Sequence, residues 1–336
     1  MAEASDLLEE LAAATRLHEG SEGVRKILRS VFRTGPVPIR DLARDLGIPV
    51  PVVAAVRGEL EKRKLAVRES GVMLTEQGVK ALAGASGIAC RARFEITSVL
   101  DLPESVLPLV SRFAELAEGR PGADVSLDQS HATAETAIRR ALYLYENDAV
   151  EGRSLVFLGD DDLTSIAVGL VSEFLNVRPR RLTVLEVDDR LLSFLSETSG
   201  QPCPIDPVQH DLRQPIPAEL ADQFDVFFTD PPYTIPGLRL FVERGIRALR
   251  PEVGKLGFVS FGRKSPAESV EIGRALSDLG LASVEVVPDF NRYDGAQLLA
   301  GTSQMIRTVF GGQEAGANEA YEGLLYTRDA RRKPRG

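Results

Sequence analysis

The 336-residue sequence has no tryptophan, three histidines and two cysteines. Cys90 and Cys203 stand far apart and outside any C-x-x-C spacing, which argues against a disulfide framework and a cysteine zinc site. His18, His131 and His210 do not assemble a metal site either, and no metal is expected. No apolar run approaches the length of a membrane span, so no spanning helix is expected. The opening MAEASDLLEELAAATRLHEG lacks the basic start and apolar core of a signal peptide, and a reducing cytoplasm is the expected compartment. Positive charge is also short. Forty Lys and Arg face 49 Asp and Glu, a net charge of −9. Such a chain suits a polycation better than a polyanion.

Two domains are legible. In VRKILRSVFRTG, Val24, Ile27, Leu28, Val31 and Phe32 recur at helical spacing, and Gly35-Pro36 ends the helix. PIRDLARDLGI and IPVPVVAAVRGELEKRKL predict two more helices, and LAVRES and GVMLTE a hairpin around Ser70-Gly71. TEQGVKALAG closes the unit. Three helices and a two-stranded wing over residues 1–85 predict a winged-helix-like domain. Its 13 Lys and Arg balance 12 Asp and Glu. A dimerisation or lid role is therefore preferred to DNA binding, and a homodimer is expected. Residues 86–125 read as a connector with one helix.

From Gly152 strand and helix patterns alternate, ending in SQMIRTVFGG as a seventh strand. The expectation is a Rossmann-like, doubly wound α/β sheet of the seven-stranded S-adenosylmethionine-methyltransferase type over residues 126–312. Ahead of it, TAETAIRRALYLYEN predicts a helix with Thr133 as N-cap. Residues 313–336 form a tail, partly flexible, whose end RDARRKPRG is basic.

Glycine is scarce where a nucleotide-binding fold normally spends it. The first loop, LGDDDLTS, keeps Gly159 and then sets Asp160, Asp161 and Asp162 in a row. One acid would cap the following helix. Three repel one another unless a cation sits among them. Glu186, ending VLE, is placed to accept ribose hydroxyls, and Asp211 in QHDLRQPIP to meet an adenine amino group. In FFTDPPYT, Asp230 can accept from an amine, the two prolines fix the turn, and Tyr233 offers a ring to a cation or a base.

Which amine is held divides the readings. Aminopropyl transfer to a polyamine makes both ligands cationic and suits the acidic loop. An S-adenosylmethionine-dependent amino-methyltransferase on DNA or RNA is the alternative. It would bring a carboxylated donor to GDDD and nucleic acid to a chain without a basic stripe. A ligand-sensing regulator leaves the amine clamp without a purpose.

GDDDLTS, VLEVDDRL, HDLRQPIP, FDVFFTDPPYT and VERGIRAL together resemble the branched-chain polyamine synthase family, the N4-bis(aminopropyl)spermidine synthases of thermophiles. DQSHATAETAIRRA, with Asp128-Gln129, is similar to that family's segment before the first strand. The likeness runs from about residue 126 to 265, and past Phe290 it is loose, through DFNRYD. The N-terminal winged helix fits the family's architecture. The linear spermidine synthases, with a glycine-rich first loop, are not resembled. The resemblance implies decarboxylated S-adenosylmethionine as donor, spermidine as acceptor, and two successive transfers to the central secondary amine, releasing methylthioadenosine. Our assignment has Gly159, Asp160, Asp162, Glu186, Asp188 and Asp211 hold the donor, with Asp162 on its amine. Asp128, Gln129, Asp161, Asp230 and Tyr233 face the acceptor. Asp161, Asp162, Asp230 and Tyr233 carry the chemistry.

Overall fold

The computed structural model describes residues 3–96, 102–198, 203–294, 301–313 and 318–327. The basic end of the tail, 328–336, lies outside them. Two compact units divide the chain: Met1–Arg93 with Leu175–Arg178, and Phe94–Phe174 with Pro179–Gly336.

The first unit contains α1 (Glu3–Thr15), α2 (Gly20–Thr34), α3 (Ile39–Leu46), α4 (Val50–Lys62), the antiparallel pair β1 (Ala66–Arg68) and β2 (Val72–Leu74), and α5 (Glu76–Ser86). The apolar stripe expected on α2 is buried, from Val24 to Phe32. Gly47 closes α3 in the left-handed region at φ 66°, which a side chain would strain. Sequence reading began this unit at α2. Helix α1 precedes it and adds Leu8 and Leu11 to the same core.

In the second unit α6 (Leu107–Ala117) and α7 (Ala134–Glu146) lead into a seven-stranded sheet. Thr133 caps α7 as expected, its side chain accepting from Thr136 N. The strands are β3 (Ser154–Leu158), β4 (Arg181–Glu186), β5 (Asp206–Gln209), β6 (Val226–Thr229), β7 (Leu256–Phe261), β8 (Leu281–Arg292) and β9 (Thr302–Phe310). Helices α8 (Thr164–Leu175), α9 (Asp189–Glu197), α10 (Ile235–Ala248) and α11 (Pro266–Asp278) alternate with them. The order is β5-β4-β3-β6-β7-β9-β8. Strands β5 to β7 run parallel, and β9 enters antiparallel between β7 and β8. This is the expected mostly parallel, methyltransferase-like sheet. Among the described residues no helix is long and apolar enough to cross a membrane.

The topology places the site. The chain steps outward from β3 to β5, then returns to the other side of β3 with β6. Strand order reverses between β3 and β6, and ligands of such sheets bind at the carboxyl ends there. Leu158 pairs with Thr229 across that seam. The GDDD and TDPPYT loops therefore leave the sheet side by side.

Phe227 fixes α10 against the sheet. A Cβ on Gly245 would stand 2.6 Å from its ring, and one on Gly257 2.5 Å from the opposite edge. The ring has no room to yield. Gly245→Ala gains roughly 1 kcal/mol in helix propensity. Overpacking a tight core costs typically 1–3 kcal/mol, and with the ring held on both sides we expect the upper part of that range. Urea melts should show a net loss, and an unchanged midpoint would contradict it.

Candidate active site

Three carboxylates follow β3 in a loop that turns sharply at its first residue. Gly159, at φ 72°, makes that turn, and its N–H donates to Leu185 O of β4. The absent side chain also brings the loop close to Glu186, whose Oε2 would lie 3.9 Å from a Cβ there. Asp160 then points back into α8 and accepts from Ser165 N and Oγ. Burial drives its pKa up to about 8, against the pull of those hydrogen bonds.

Asp161 is half-buried and accepts from Ser130 N at 3.1 Å. Its carbonyl accepts from Arg120 Nη1. Burial first, then Asp162, Asp230 and Glu186, push its carboxyl well above the ordinary range. Asp162 is closed on both sides: Oδ1 accepts from Ala132 N, and Oδ2 pairs with Arg140 Nη1 at 2.5 Å.

Arg140, from the middle of α7, is the centre of the site. Its Nη2 pairs with Asp230 Oδ2 at 2.6 Å. Its Nε donates to Asn291 Oδ1 at 2.8 Å, and Nη2 reaches the Tyr293 hydroxyl at 3.1 Å. Tyr293 donates to the same Asp230 Oδ2 at 2.6 Å and accepts from the Tyr233 hydroxyl at 2.9 Å. Burial lifts Asp230 to about 6, with Asp162 adding to the rise and Arg140 and Tyr293 opposing it. The Tyr233 ring lies 5.3 Å from Phe261. Of these four aspartates, Asp161 and Asp230 each keep an oxygen, Oδ1, without a protein donor among the described residues.

The structure brings a second group together around Glu186. Glu186 Oε1 accepts from Val187 N and Asp188 N, and Oε2 from Asp160 N. Asp188 caps α9 and accepts from Arg190 and from Gln129 Nε2. Asp128, at φ 57°, accepts from Thr327 N at 2.6 Å. Asp211 is taken up by Arg213, which meets both carboxylate oxygens. Burial raises the Tyr326 hydroxyl's pKa, with Arg213 opposing the rise and Asp211, Glu186 and Asp128 adding to it. Among the described residues no three His, Cys, Asp or Glu are grouped to hold a metal ion.

Sequence reading located the acids but missed Arg140, Tyr293, Asn291 and Ser165. One signal was present. Arg139 and Arg140 interrupt an otherwise apolar helix, and a buried arginine needs a partner.

Residues 108–318 match the family described as Branched-chain polyamine synthase A C-terminal domain. An uncharacterized protein of Methanocaldococcus jannaschii is 34% identical over 313 residues, covering 91% of this chain and 78% of its own. A Thermococcus kodakarensis protein named N(4)-bis(aminopropyl)spermidine synthase is 30% identical over 298 residues, 86% of this chain and 82% of its own. The crystal structure of the branched-chain polyamine synthase from Thermus thermophilus, in complex with N4-aminopropylspermidine and 5'-methylthioadenosine, shares the fold. Its TM-score is 0.61 at 24% identity, covering 97% of this chain and 98% of that one. The matched segment holds Arg140, both acid loops and the seam between β3 and β6; this chain belongs to the branched-chain polyamine synthase family.

Proposed function

We propose that this chain is an aminopropyltransferase, moving the aminopropyl group of decarboxylated S-adenosylmethionine to the central secondary amine of spermidine and releasing methylthioadenosine. One observation carries it. Asp161 and Asp230 each present an unengaged carboxylate oxygen in a site already crowded with acids. A cationic amine brought there lowers their raised pKa values and is held by the ionised carboxylates, whereas a carboxylated donor would raise them further. The names of the relatives supply the acceptor.

Glu186, with Gly159, Asp160, Asp188 and Asp211, is assigned to the donor's adenosine side. Asp162 faces the donor amine, through the lone pairs that Arg140 and Ala132 leave over. Asp161 and Asp230 take the acceptor, with Asp128, Gln129 and Tyr233 bordering it. Spermidine is largely protonated near neutrality, and a protonated amine is no nucleophile. The site must therefore hold the outer ammonium groups and free the central nitrogen. Its lone pair then attacks the methylene beside the sulfonium. The C–S bond breaks with its electrons going to sulfur, and the displaced proton passes to a carboxylate or solvent. After one transfer the nitrogen is tertiary and can react again once deprotonated. We read the first unit as a winged helix, on α2, α3 and α4 followed by the β1–β2 hairpin and the closing helix α5, and the assembly as a homodimer.

The test is one incubation. Purified protein with spermidine and decarboxylated S-adenosylmethionine should yield methylthioadenosine and polyamines heavier by one and then two aminopropyl groups. S-adenosylmethionine in its place should give no product. Methyl groups on nucleic acid, with no polyamine product, would restore the methyltransferase reading.

A further inference from the structure

Helix α7 is buried along ten consecutive residues, Thr136 to Tyr145, and Arg139 and Arg140 lie in the middle of that run. A buried guanidinium is stable where its donors find acceptors. Arg139 donates to Phe290 O at 3.0 Å. Arg140 instead reaches three segments: Asp162 and Thr164 after β3, Asp230 after β6, and Asn291 and Tyr293 at the end of β8. Here one cation spans two acids whose loops meet at the seam of the sheet.

We propose that Arg140 is a positioning residue for the transfer: it occupies one oxygen each of Asp162 and Asp230 and so leaves Asp161, the outer oxygen of Asp230 and the remaining lone pairs of Asp162 to meet the cationic substrates. The inference rests on the aminopropyl transfer proposed above. Without Arg140, Asp162 and Asp230 would lose the cation they share, leaving Arg120, which meets the Asp161 carbonyl, beside Asp160, Asp161 and Asp162, and the four acids could not all stay ionised. A planar guanidinium can hold two carboxylates at fixed angles, which an ammonium on a flexible stem does not. The Tyr233–Tyr293 pair depends on the same anchor, because Tyr293 shares Asp230 Oδ2 with Arg140.

The groups facing Asp230 are Arg140 from α7, Asp161 and Asp162 after β3, Tyr233 on its own loop, and Tyr293 after β8. Arg140 is the cation among them, and it opposes the rise that burial imposes on Asp230. Removing it lets Asp230 take a proton near neutral pH. A neutral carboxyl neither accepts a proton nor holds an ammonium.

Arg140→Gln and Arg140→Lys separate this role from a structural one. Methylthioadenosine carries no amine chain and serves as the probe of the intact donor pocket. Calorimetry should give affinities for both variants within about twofold of the parent, the pattern of an interaction that spares ground-state binding. With spermidine and the decarboxylated donor, Arg140→Gln should lose on the order of a hundredfold in kcat at neutral pH. Its acidic limb should move upward by about one pH unit or more, recovering rate in alkali. Arg140→Lys keeps the charge and should lose about tenfold with a smaller shift of the limb. If Arg140→Gln does not fold, Arg140→Lys decides by the same readouts. Parent kcat and parent pH profile in a folded variant would overturn the inference. No transfer by the parent, despite bound methylthioadenosine, would instead overturn the proposed function.

Discussion

Asp161→Asn lowers the transfer rate on the order of a hundredfold or more, the usual cost of losing an acid–base group, while the melting temperature holds or rises. Asp161 has one backbone donor, Ser130 N, and keeps Oδ1 without a protein partner among the described residues. Burial and its acidic neighbours raise its pKa. A carboxyl raised on folding binds more protons in the native state than in the unfolded chain. Its contribution to stability is complete at low pH and fades as pH rises through the raised value. Asparagine removes that term, so the advantage of the variant should widen from acid to neutral pH. Initial rates and thermal melts across that range check both halves. A variant with the parent rate would show that Asp161 does not meet the substrate. One that melts well below the parent would show that the carboxylate supports the fold.

Asp225→Asn has the opposite signature. Asp225 lies just before β6, at the amino ends of the strands, away from the acid loops. It is 4% exposed and pairs with Arg250 at 2.5 Å and Lys255 at 3.1 Å. It also accepts from Ser154 N at the start of β3. Burial works against its charge, but Arg153, Lys255 and Arg250 outweigh burial and hold its pKa below the ordinary range. Breaking a buried pair by removing one partner typically costs about 3–5 kcal/mol. We expect a loss in that range at neutral pH and an unchanged rate per folded molecule. A carboxylate with a depressed pKa stabilises above the ordinary carboxylate range. That stability disappears as pH falls through the depressed value, so the gap between variant and parent should close in strong acid. Denaturant melts at neutral and acid pH test it. A loss under about 1 kcal/mol, the level of an exposed pair, would reduce this cluster to surface charge.

The sheet was legible because its central strands β3, β6 and β7 are apolar and buried and helices alternate with the strands. The Val24–Phe32 stripe and the Thr133 cap were legible for the same local reasons. The acids were legible by their positions at strand ends. Helix α1 was passed over because its acidic opening was weighed only as a leader. Arg140 was not legible because its partners lie 22 and 90 residues away, and only folding brings them into contact. GDDD announced that a cation was needed. The sequence could not say that the protein itself provides one. Tyr293 was noticed only as a letter in DFNRYD, since its role depends on β8 ending beside Ala132.

The buried Arg140 bridge has a consequence for temperature. Dehydrating ions is less costly in hot water, because their hydration carries a strongly negative entropy, whereas the hydrophobic contribution per unit area levels off. The acid pair and its guanidinium are therefore least expensive to keep out of water at high temperature. A neutral replacement of the whole bridge, packed to the same volume, would hold its greatest relative advantage in the cold and lose it on heating. The buried Arg140 centre is thus a part of the fold whose desolvation cost eases as the solvent warms.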